Sequence, residues 1–486
     1  MRINDKIFYE PRKFNAIELW ENVSEEQWND AHWQIKNTIR SVENLKKVIA
    51  LTKYQENEIE RTLETLKSHG KESLRITPYY ATLMQSDPFH PKMLPGEKSK
   101  KRLDPIFWQS VPTPANTLFP NSGTEGAMSE GSRSFGAAYQ RYPNRVALFV
   151  AENSSCASYC VHCQRSKSLD GSTNVNEMEL QRGLFYIGYN KNIDEVLVTG
   201  GDALMIGRKR LQYVLEELSK IPHLKVIRIA TRVPVVLPMG ITDDLLELIR
   251  LSANKYSDEA LKYVYFMTHI NHYQEITTDL AIAVKKICNH GFTIRNQTVL
   301  LNHVNDNFKT LAETFRRMFW IGVHPYYLLQ CHKEKGLVHF ITPIQIGKIL
   351  MQQLRGWISG VAIPIYASNI GGGGGKILLM PSGYDRYNSE SNIEGNEFQR
   401  YENAITWDGK NLGKYEALCT ITQDEFENAI KSMDEFIGRK GVFVPKVNII
   451  DSDGRIVEII DKTKLPEIGK IKKSKLLGYG LLYNSL

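Results

Sequence analysis

Cysteine is scarce in this sequence, with six in 486 residues. That is too few for a disulfide framework in so long a chain. No run of about 18 apolar residues occurs, so no membrane-spanning helix is expected. The opening stretch, MRINDKIFYEPRKF, lacks the apolar centre of a signal peptide, and a cytoplasmic protein is expected. Neither sign of charge dominates. A net charge of +7 on a chain with 42% hydrophobic residues is an ordinary globular balance, enough for two or three domains. Part of the excess sits in the tail, at Lys462, Lys464, Lys470, Lys472, Lys473 and Lys475. No aromatic platform is interleaved with these lysines, so they read as a solvated end rather than a nucleic-acid surface.

The few cysteines are not evenly spread. Cys156, Cys160 and Cys163 fall within CASYCVHCQR, whereas Cys288, Cys331 and Cys419 are scattered and read as reduced thiols. The cluster is therefore the informative feature.

The N-terminal part reads as helices. Ser24 to Gln27 has a capping-box pattern, and Ile35, Ile39, Val42, Leu45 and Ile49 follow at helical spacing. Thr52 and Gln55 open a second box, with Ile59, Leu63 and Leu66 on one face. Residues 84–140 are rich in Pro, Gly and Ser and read as a long loop or lid. From Val146 short apolar runs alternate with helical patterns. Strands are expected at Val146–Val150, Val196–Val198, Val226–Ile229, Val264–Met267, Ile294–Val299 and Tyr326–Leu329. Helices are expected near 177–189, 208–220, 243–255, 278–290 and 308–320. This alternation predicts an α/β fold, a parallel sheet with right-handed crossovers forming a partial (β/α)6 barrel of the TIM type. A further helix near 344–358 and a strand over 361–366 precede GGGGGK. The expected division is a helical region with a lid-like loop over 1–130, the barrel over 131–385 and an α+β extension over 386–486.

Polar residues recur after the strands. The cysteine loop follows the first, Thr199 to Asp202 (TGGD) the second, Thr231 and Arg232 the third, Thr268 and His269 the fourth. Gln297 lies near the end of the fifth, and Gln330, Cys331 and His332 follow the sixth. In parallel α/β sheets that edge carries the active site.

Three cysteines are one short of a closed zinc site, and there is no second CxxC pair. They are also one short of a conventional four-iron cluster, leaving one iron open to bind and transform a small molecule. GGGGGK, residues 371–376, is no P-loop. Ile370 stands where the first glycine is needed, and Ile377 where a hydroxyl is needed. A flexible linker, or a lysine forming a Schiff base with pyridoxal 5′-phosphate (PLP), both remain compatible with it.

CxxxCxxC after the first strand of a partial barrel resembles the radical S-adenosylmethionine (SAM) enzymes. More specifically, ITPYYATLM (76–84), RYPNRV (141–146), TGGDAL, TRVPVV (231–236), THINHYQEIT (268–277), NQTVLLNHVND (296–306), HPYYLLQC (324–331) and GGGGGKILLMP (371–381) are similar, in order, to the lysine 2,3-aminomutase family. The resemblance implies that Cys156, Cys160 and Cys163 ligate a 4Fe–4S cluster and that Lys376 holds PLP. It implies phosphate contacts from Arg141, Tyr142 and Arg145. Gly200, Gly201, Asp202, His269 and Gln297 would contact SAM, with His162, Thr231 and Arg232 as weaker candidates on that side. Arg165 would pair with the substrate α-carboxylate. The implied reaction moves an amino group from Cα to Cβ of a free amino acid, using a SAM-derived radical and PLP. An electron donor such as flavodoxin or ferredoxin and a homo-oligomer follow from the same resemblance.

Departures from the family pattern sharpen the expectation. The tail has no cysteine after Cys419, and the position of the partner subunit's zinc-binding cysteine is Asn307, so no structural zinc is expected. Residues 115–140 look like an insertion. The two aspartates that hold the ε-ammonium of lysine are replaced by His332 and Asn369. A potential cation and a neutral amide in place of two anions favour a carboxylate or carboxamide end, as in the glutamate 2,3-aminomutase branch. L-Glutamate is the expected substrate, with lysine or another polar amino acid such as glutamine as alternatives. A non-catalytic iron–sulfur redox sensor is the reading from another class.

Overall fold

The computed structural model describes residues 8–69, 74–92, 103–120, 122–123, 133–152, 156–163, 174–257, 261–370, 375–380, 389–391, 397–401, 414–417, 420–453 and 456–459. Its centre is a ten-stranded sheet in sequential order. The strands are β1 (Arg133–Phe135), β2 (Ala138–Tyr142), β3 (Arg145–Phe149), β4 (Glu195–Thr199), β5 (Val226–Ala230), β6 (Tyr263–Thr268), β7 (Thr293–Leu300), β8 (Val323–Gln330), β9 (Ile365–Ile370) and β10 (Gly375–Leu378). Seven of them, β3 to β9, run parallel. An antiparallel partner extends each end, β2 before β3 and β10 after β9.

Helices fill the crossovers. They follow a first helix, α1 (Lys53–Ser68), in the N-terminal region, and are α2 (Glu177–Tyr189), α3 (Arg208–Ser219), α4 (Asp243–Ala253), α5 (Thr278–Asn289), α6 (Phe308–Trp320) and α7 (Ile344–Arg355). Their starts are written in the sequence. Asn176, Thr242, Thr277 and Asn307 each accept a backbone N–H of the first turn. Asn307, where the family places the partner's zinc-binding cysteine, thus caps a helix.

The two faces of the sheet differ. Val146, Leu148, Val196, Val198, Ile227, Ile229, Phe266 and Ile294 are almost wholly buried. A Cβ added to Gly183 of α2 would lie 3.0 Å from the Leu148 side chain, so this face meets the helices. The alternate residues are mostly half-buried and of mixed character, polar or aromatic at Arg145, Glu195, Arg228, Tyr265 and Gln297 and aliphatic at Ala147, Leu197 and Val299. Arg228 and Glu195 pair at 2.6 Å on adjacent strands. A closed, apolar-filled barrel would bury both faces. The second face of this sheet is only half-buried and mixes charged residues with aliphatic ones.

Several expectations are corrected. The stretch 84–140 is not one loop. Asp104 caps a short helix at Pro105–Ser110, with proline at its first position. Arg133–Tyr142 forms a hairpin that turns at Gly136, whose φ is +51°. The strand expected over 361–366 starts only at Ile365, after a 3-10 turn at Gly360–Ala362. The periodic stretch 35–49 is broken into short helices capped by Asp30 and Ser41. The helix expected over 344–358 ends at Arg355.

The C-terminal helix α8 (Gln423–Ile437) packs back on the N-terminal region. Gln55 of α1 donates to the Phe436 carbonyl at 2.9 Å, and the Phe89 and Phe436 rings meet edge to face. Lys446 pairs with Asp306, and Asn302 donates to the Val444 carbonyl, so the extension is tied to the loop after β7. Two small sheets complete the described residues, one of β11 (Ser389–Ser391), β12 (Glu397–Tyr401) and β13 (Lys414–Ala417), the other of β14 (Thr420–Thr422), β15 (Asn448–Ile450) and β16 (Ile456–Ile459). No helix among the described residues is long and apolar enough to cross a membrane.

Candidate active site

The cysteine loop leaves the C-terminal end of β3. Ser158 accepts from the Thr77 backbone, Tyr159 N–H donates to the Arg75 carbonyl and Val161 N–H to the Gln109 carbonyl. The loop is therefore held from outside by the N-terminal region. Cys163 N–H closes a turn on the Cys160 carbonyl at 3.0 Å. Burial pushes the Cys156 thiol well up, and Asp202 and the other two thiols add to it. Burial also raises Cys160, against the pull of Arg232. Without a metal these sulfurs hold their protons, and an iron ion would displace them.

The glycines after β4 take left-handed conformations, φ +105° at Gly200 and +61° at Gly201. A Cβ on Gly200 would sit 3.2 Å from the Val150 nitrogen. Gly201 is exposed and, having no side chain, presents bare backbone. Asp202 does not offer a free charge. Its Oδ2 accepts from Arg232 N–H at 2.6 Å and its Oδ1 from Leu204 N–H at 3.0 Å, while the Thr231 hydroxyl accepts from Val233 N–H. Asp202 thus ties the ends of β4 and β5 together.

His162 and His269 form a pair whose tautomers follow from their partners. His269 Nδ1 lies 2.6 Å from the Gln297 carbonyl oxygen, which can only accept, so Nδ1 carries the proton. Burial, then Arg232, holds His269 down at about 4, so its Nε2 is a bare acceptor. His162 Nε2, 2.8 Å away, must then donate. Asn271 Nδ2 donates to the same His269 nitrogen at 3.1 Å and to Gln109 at 2.7 Å. That leaves His162 Nδ1 buried with no partner. Gln297 contributes its backbone to this network, and its side chain is half-buried.

A second group of expected residues meets at the seam between the two ends of the sheet. Tyr142 on β2 accepts from the backbone N–H of Lys376 on β10 at 2.8 Å. The Arg145 guanidinium lies 3.9 Å over the Tyr142 ring. Gly375 has φ +72°, and a Cβ there would lie 2.8 Å from the same ring. Lys376 Nζ is 5.6 Å from the centre of the Tyr327 ring on β8. Asn369 is the direct antiparallel partner of Lys376, so their side chains share a face.

His332, just after β8, belongs to this group. Burial, then Arg141, Lys376 and Lys333, holds it down at about 4. The potential cation at this position is therefore a neutral imidazole near neutral pH. His332 Nε2 and Asn369 Oδ1 are both buried without a hydrogen-bond partner. The loop carrying His332 is braced from the insertion. Asn116 donates to the Gly336 carbonyl at 3.1 Å, and a Cβ on Gly123 would lie 2.7 Å from the backbone of Glu334 and Lys335. Ser122 in turn donates to the Thr420 carbonyl at 3.2 Å.

Two expected features, Arg165 and the glycines 371–374, lie outside the described residues. Three residues at the site were not singled out in the sequence. Tyr80, Glu275 and Tyr327 all sit inside the segments that carry the resemblance, but nothing linear marks their partners. Glu275 is fully buried and pairs with Arg232 at 2.7 Å, 43 residues away in sequence. Cys160, His162 and His269 together offer donor atoms within 4.8 Å of one another.

The chain is 37% identical over 378 residues to an L-lysine 2,3-aminomutase of Bacillus subtilis, covering 77% of this chain and 74% of that one. It is 34% identical to an L-lysine 2,3-aminomutase of Methanococcus maripaludis over 86% of this chain and 93% of the relative. A glutamate 2,3-aminomutase of Clostridioides difficile is also 34% identical, over 74% of this chain and 78% of the relative. No protein-family model matches. On this identity and coverage the chain belongs to the lysine 2,3-aminomutase family, isomerases that work with a 4Fe–4S cluster, S-adenosylmethionine and pyridoxal 5′-phosphate.

Proposed function

We propose that this chain converts free L-glutamate to β-glutamate by moving the amino group from Cα to Cβ. The observation that carries the choice of substrate is the pair His332 and Asn369. Both are buried beside Lys376, neither is anionic, and each has an unpartnered polar atom. A lysine side chain would bring an ammonium into that place with no counter-charge from either, which is costly in a desolvated site. Several relatives carry lysine in their names, so the argument rests on these two residues rather than on overall similarity. L-Glutamine is the second reading, favoured by the neutral state of His332 and the bare amide oxygen of Asn369.

The residues fit the family's cofactors. Cys156, Cys160 and Cys163 would hold the cluster through three sulfurs and leave one iron for SAM. Lys376 would hold PLP, with Arg141, Arg145 and Tyr142 around its phosphate. Two guanidinium forks suit a dianion. When bound, cluster and SAM supply a hydrogen-abstracting radical, and PLP supplies the π-system through which the amino group migrates. The chain itself does the rest. Tyr142 and Gly375 fix the backbone of Lys376, His332 and Asn369 grip the distal end of the substrate, and Arg165 would grip its α-carboxylate. The His162–His269 pair and the bare backbone of Gly201 line the SAM side. We read the half-buried face of β3–β9 as the wall of a partial barrel, the Tyr142–Lys376 contact supporting that curvature. A low-potential one-electron donor of the flavodoxin or ferredoxin class and a homo-oligomer without a zinc link complete the proposal.

The test is an amino acid panel with anaerobically reconstituted enzyme, SAM, PLP and reductant, read by mass spectrometry for β-amino isomers. Glutamate is expected to convert fastest, and Lys376→Ala to abolish conversion. Absence of both β-isomers and 5′-deoxyadenosine across the panel would refute the enzyme reading.

A further inference from the structure

Arg232 was expected on the SAM side, but its guanidinium is engaged beneath the cysteine loop. One terminal nitrogen donates to Cys160 Sγ at 2.7 Å. The other donates to the Tyr80 hydroxyl and to Glu275 Oε1, each at 2.7 Å, and Nε donates to the His269 carbonyl at 3.2 Å. Glu275 is fixed in turn by Tyr80 O–H at 2.9 Å and by the backbone N–H groups of Asn271 and His272 at 2.7 and 2.8 Å. All three side chains are buried. The guanidinium fork therefore has one orientation, with a nitrogen aimed at a single sulfur.

We propose that Arg232 and Glu275 are positioning residues that set the reduction potential of the cluster through Cys160. The proposal rests on the reading of Cys160 as a cluster ligand. Reduction takes the cluster from its 2+ to its 1+ state by one electron from a low-potential donor, and the added negative charge spreads onto the cysteine sulfurs. An N–H donor on such a sulfur strengthens as that charge grows, and so favours the reduced state. The cation also lies nearer the sulfur than the carboxylate does, because Glu275 is reached from the opposite nitrogen. The pair is a buried dipole with its positive end at the cluster. A low dielectric keeps both ends effective.

The two ends make opposite predictions. Arg232→Gln removes the charged donor and leaves the carboxylate uncompensated, so the reduction potential falls. Glu275→Gln leaves the guanidinium uncompensated, so the potential rises. A tenfold change in the reduction equilibrium in each direction is about 59 mV for one electron. A merely structural role would lower iron content in both variants and would not separate them in sign.

The experiment is a dithionite-poised redox titration of the reconstituted full chain without SAM, following the paramagnetic reduced cluster by electron paramagnetic resonance, with iron content measured alongside. Opposite shifts at equal iron content are expected. Shifts of the same sign, or none, overturn the proposal. If Arg232→Gln fails to assemble a cluster, Arg232→Lys, which keeps charge but loses the fork, is expected to lower the potential less. Glu275→Gln then carries the sign test. Cys160→Ser that retained full iron and signal would instead overturn the ligand assignment, and the proposal with it.

Discussion

If the substrate carries a distal carboxylate against His332, binding favours uptake of a proton by the ring. The free ring is protonated only below about pH 4, because burial and the neighbouring Arg141, Lys376 and Lys333 oppose its charge. Charging it at pH 7 costs at most about 4 kcal/mol, three units at 1.36 each, and less once PLP takes up the Lys376 charge and its phosphate faces Arg141. A carboxylate in contact repays part of that by a charge-assisted hydrogen bond and raises the pKa in the complex. Between the free and bound values, affinity for glutamate falls as pH rises, by up to tenfold per unit. Above the bound value the ring stays neutral and affinity levels off. Glutamine, with no charge to offer, shows no such slope. The assay is titration calorimetry on the PLP-loaded enzyme in two buffers of different ionisation enthalpy, from pH 5.5 to 8. Glutamate turnover with no proton uptake and a flat affinity profile would refute the reasoning.

Exchanging both His332 and Asn369 for Asp is expected to weaken glutamate turnover at least tenfold and to raise activity on lysine, read by the same β-isomer assay. Gly375→Ala places a side chain at φ +72° and 2.8 Å from the Tyr142 ring. The backbone alone costs about 1–2 kcal/mol, and PLP affinity, followed by absorbance, should fall tenfold or more while iron content holds. His339 is buried with both ring nitrogens unpartnered, and burial, then His303, holds it down at about 3. Its folded value lies below its unfolded value, so its contribution is intact above about pH 6.5 and is lost as pH falls toward 3, by up to about 1.4 kcal/mol per unit. His339→Phe should flatten urea-unfolding stability between pH 6 and 4. Lys446→Ala strands the Asp306 carboxylate, whose side chain is only 9% exposed. It should cost about 3 kcal/mol, whereas Lys446→Met with Asp306→Asn costs clearly less.

Much of the frame was legible in the sequence. The first five strands expected from Val146 onward lie within a residue of their expected positions, because apolar alternation and capping residues are local signals, whereas β8 starts three residues early and β9 four residues late. The hairpin ending at Tyr142 was hidden, since its short strands sit beside a Gly- and Ser-rich stretch that reads as loop. Among site residues, the cysteines and Lys376 stand out by spacing and context. Asn369 gains its meaning only from a hairpin register that puts it opposite Lys376. The neutral state of His332 depends on burial and on cations from β2 and β10, none of which is adjacent in sequence except Lys333. Glu275 and Tyr80 were invisible for the same reason. A buried ion pair is a property of the folded neighbourhood, not of either residue.

The brace behind His332 has a consequence for how selectivity can change. The side chain proposed to face the distal end of the substrate hangs on a loop whose backbone is wedged by Gly123 and hydrogen-bonded by Asn116, while Ser122 anchors that wedge to β14. Three chain segments, far apart in sequence, thus hold one reading head. Grafting a new side chain at 332 changes the letter but leaves the old frame. A residue exchanged at 332 therefore inherits this backbone placement, so the exchange alters the charge presented there without altering where the backbone stands.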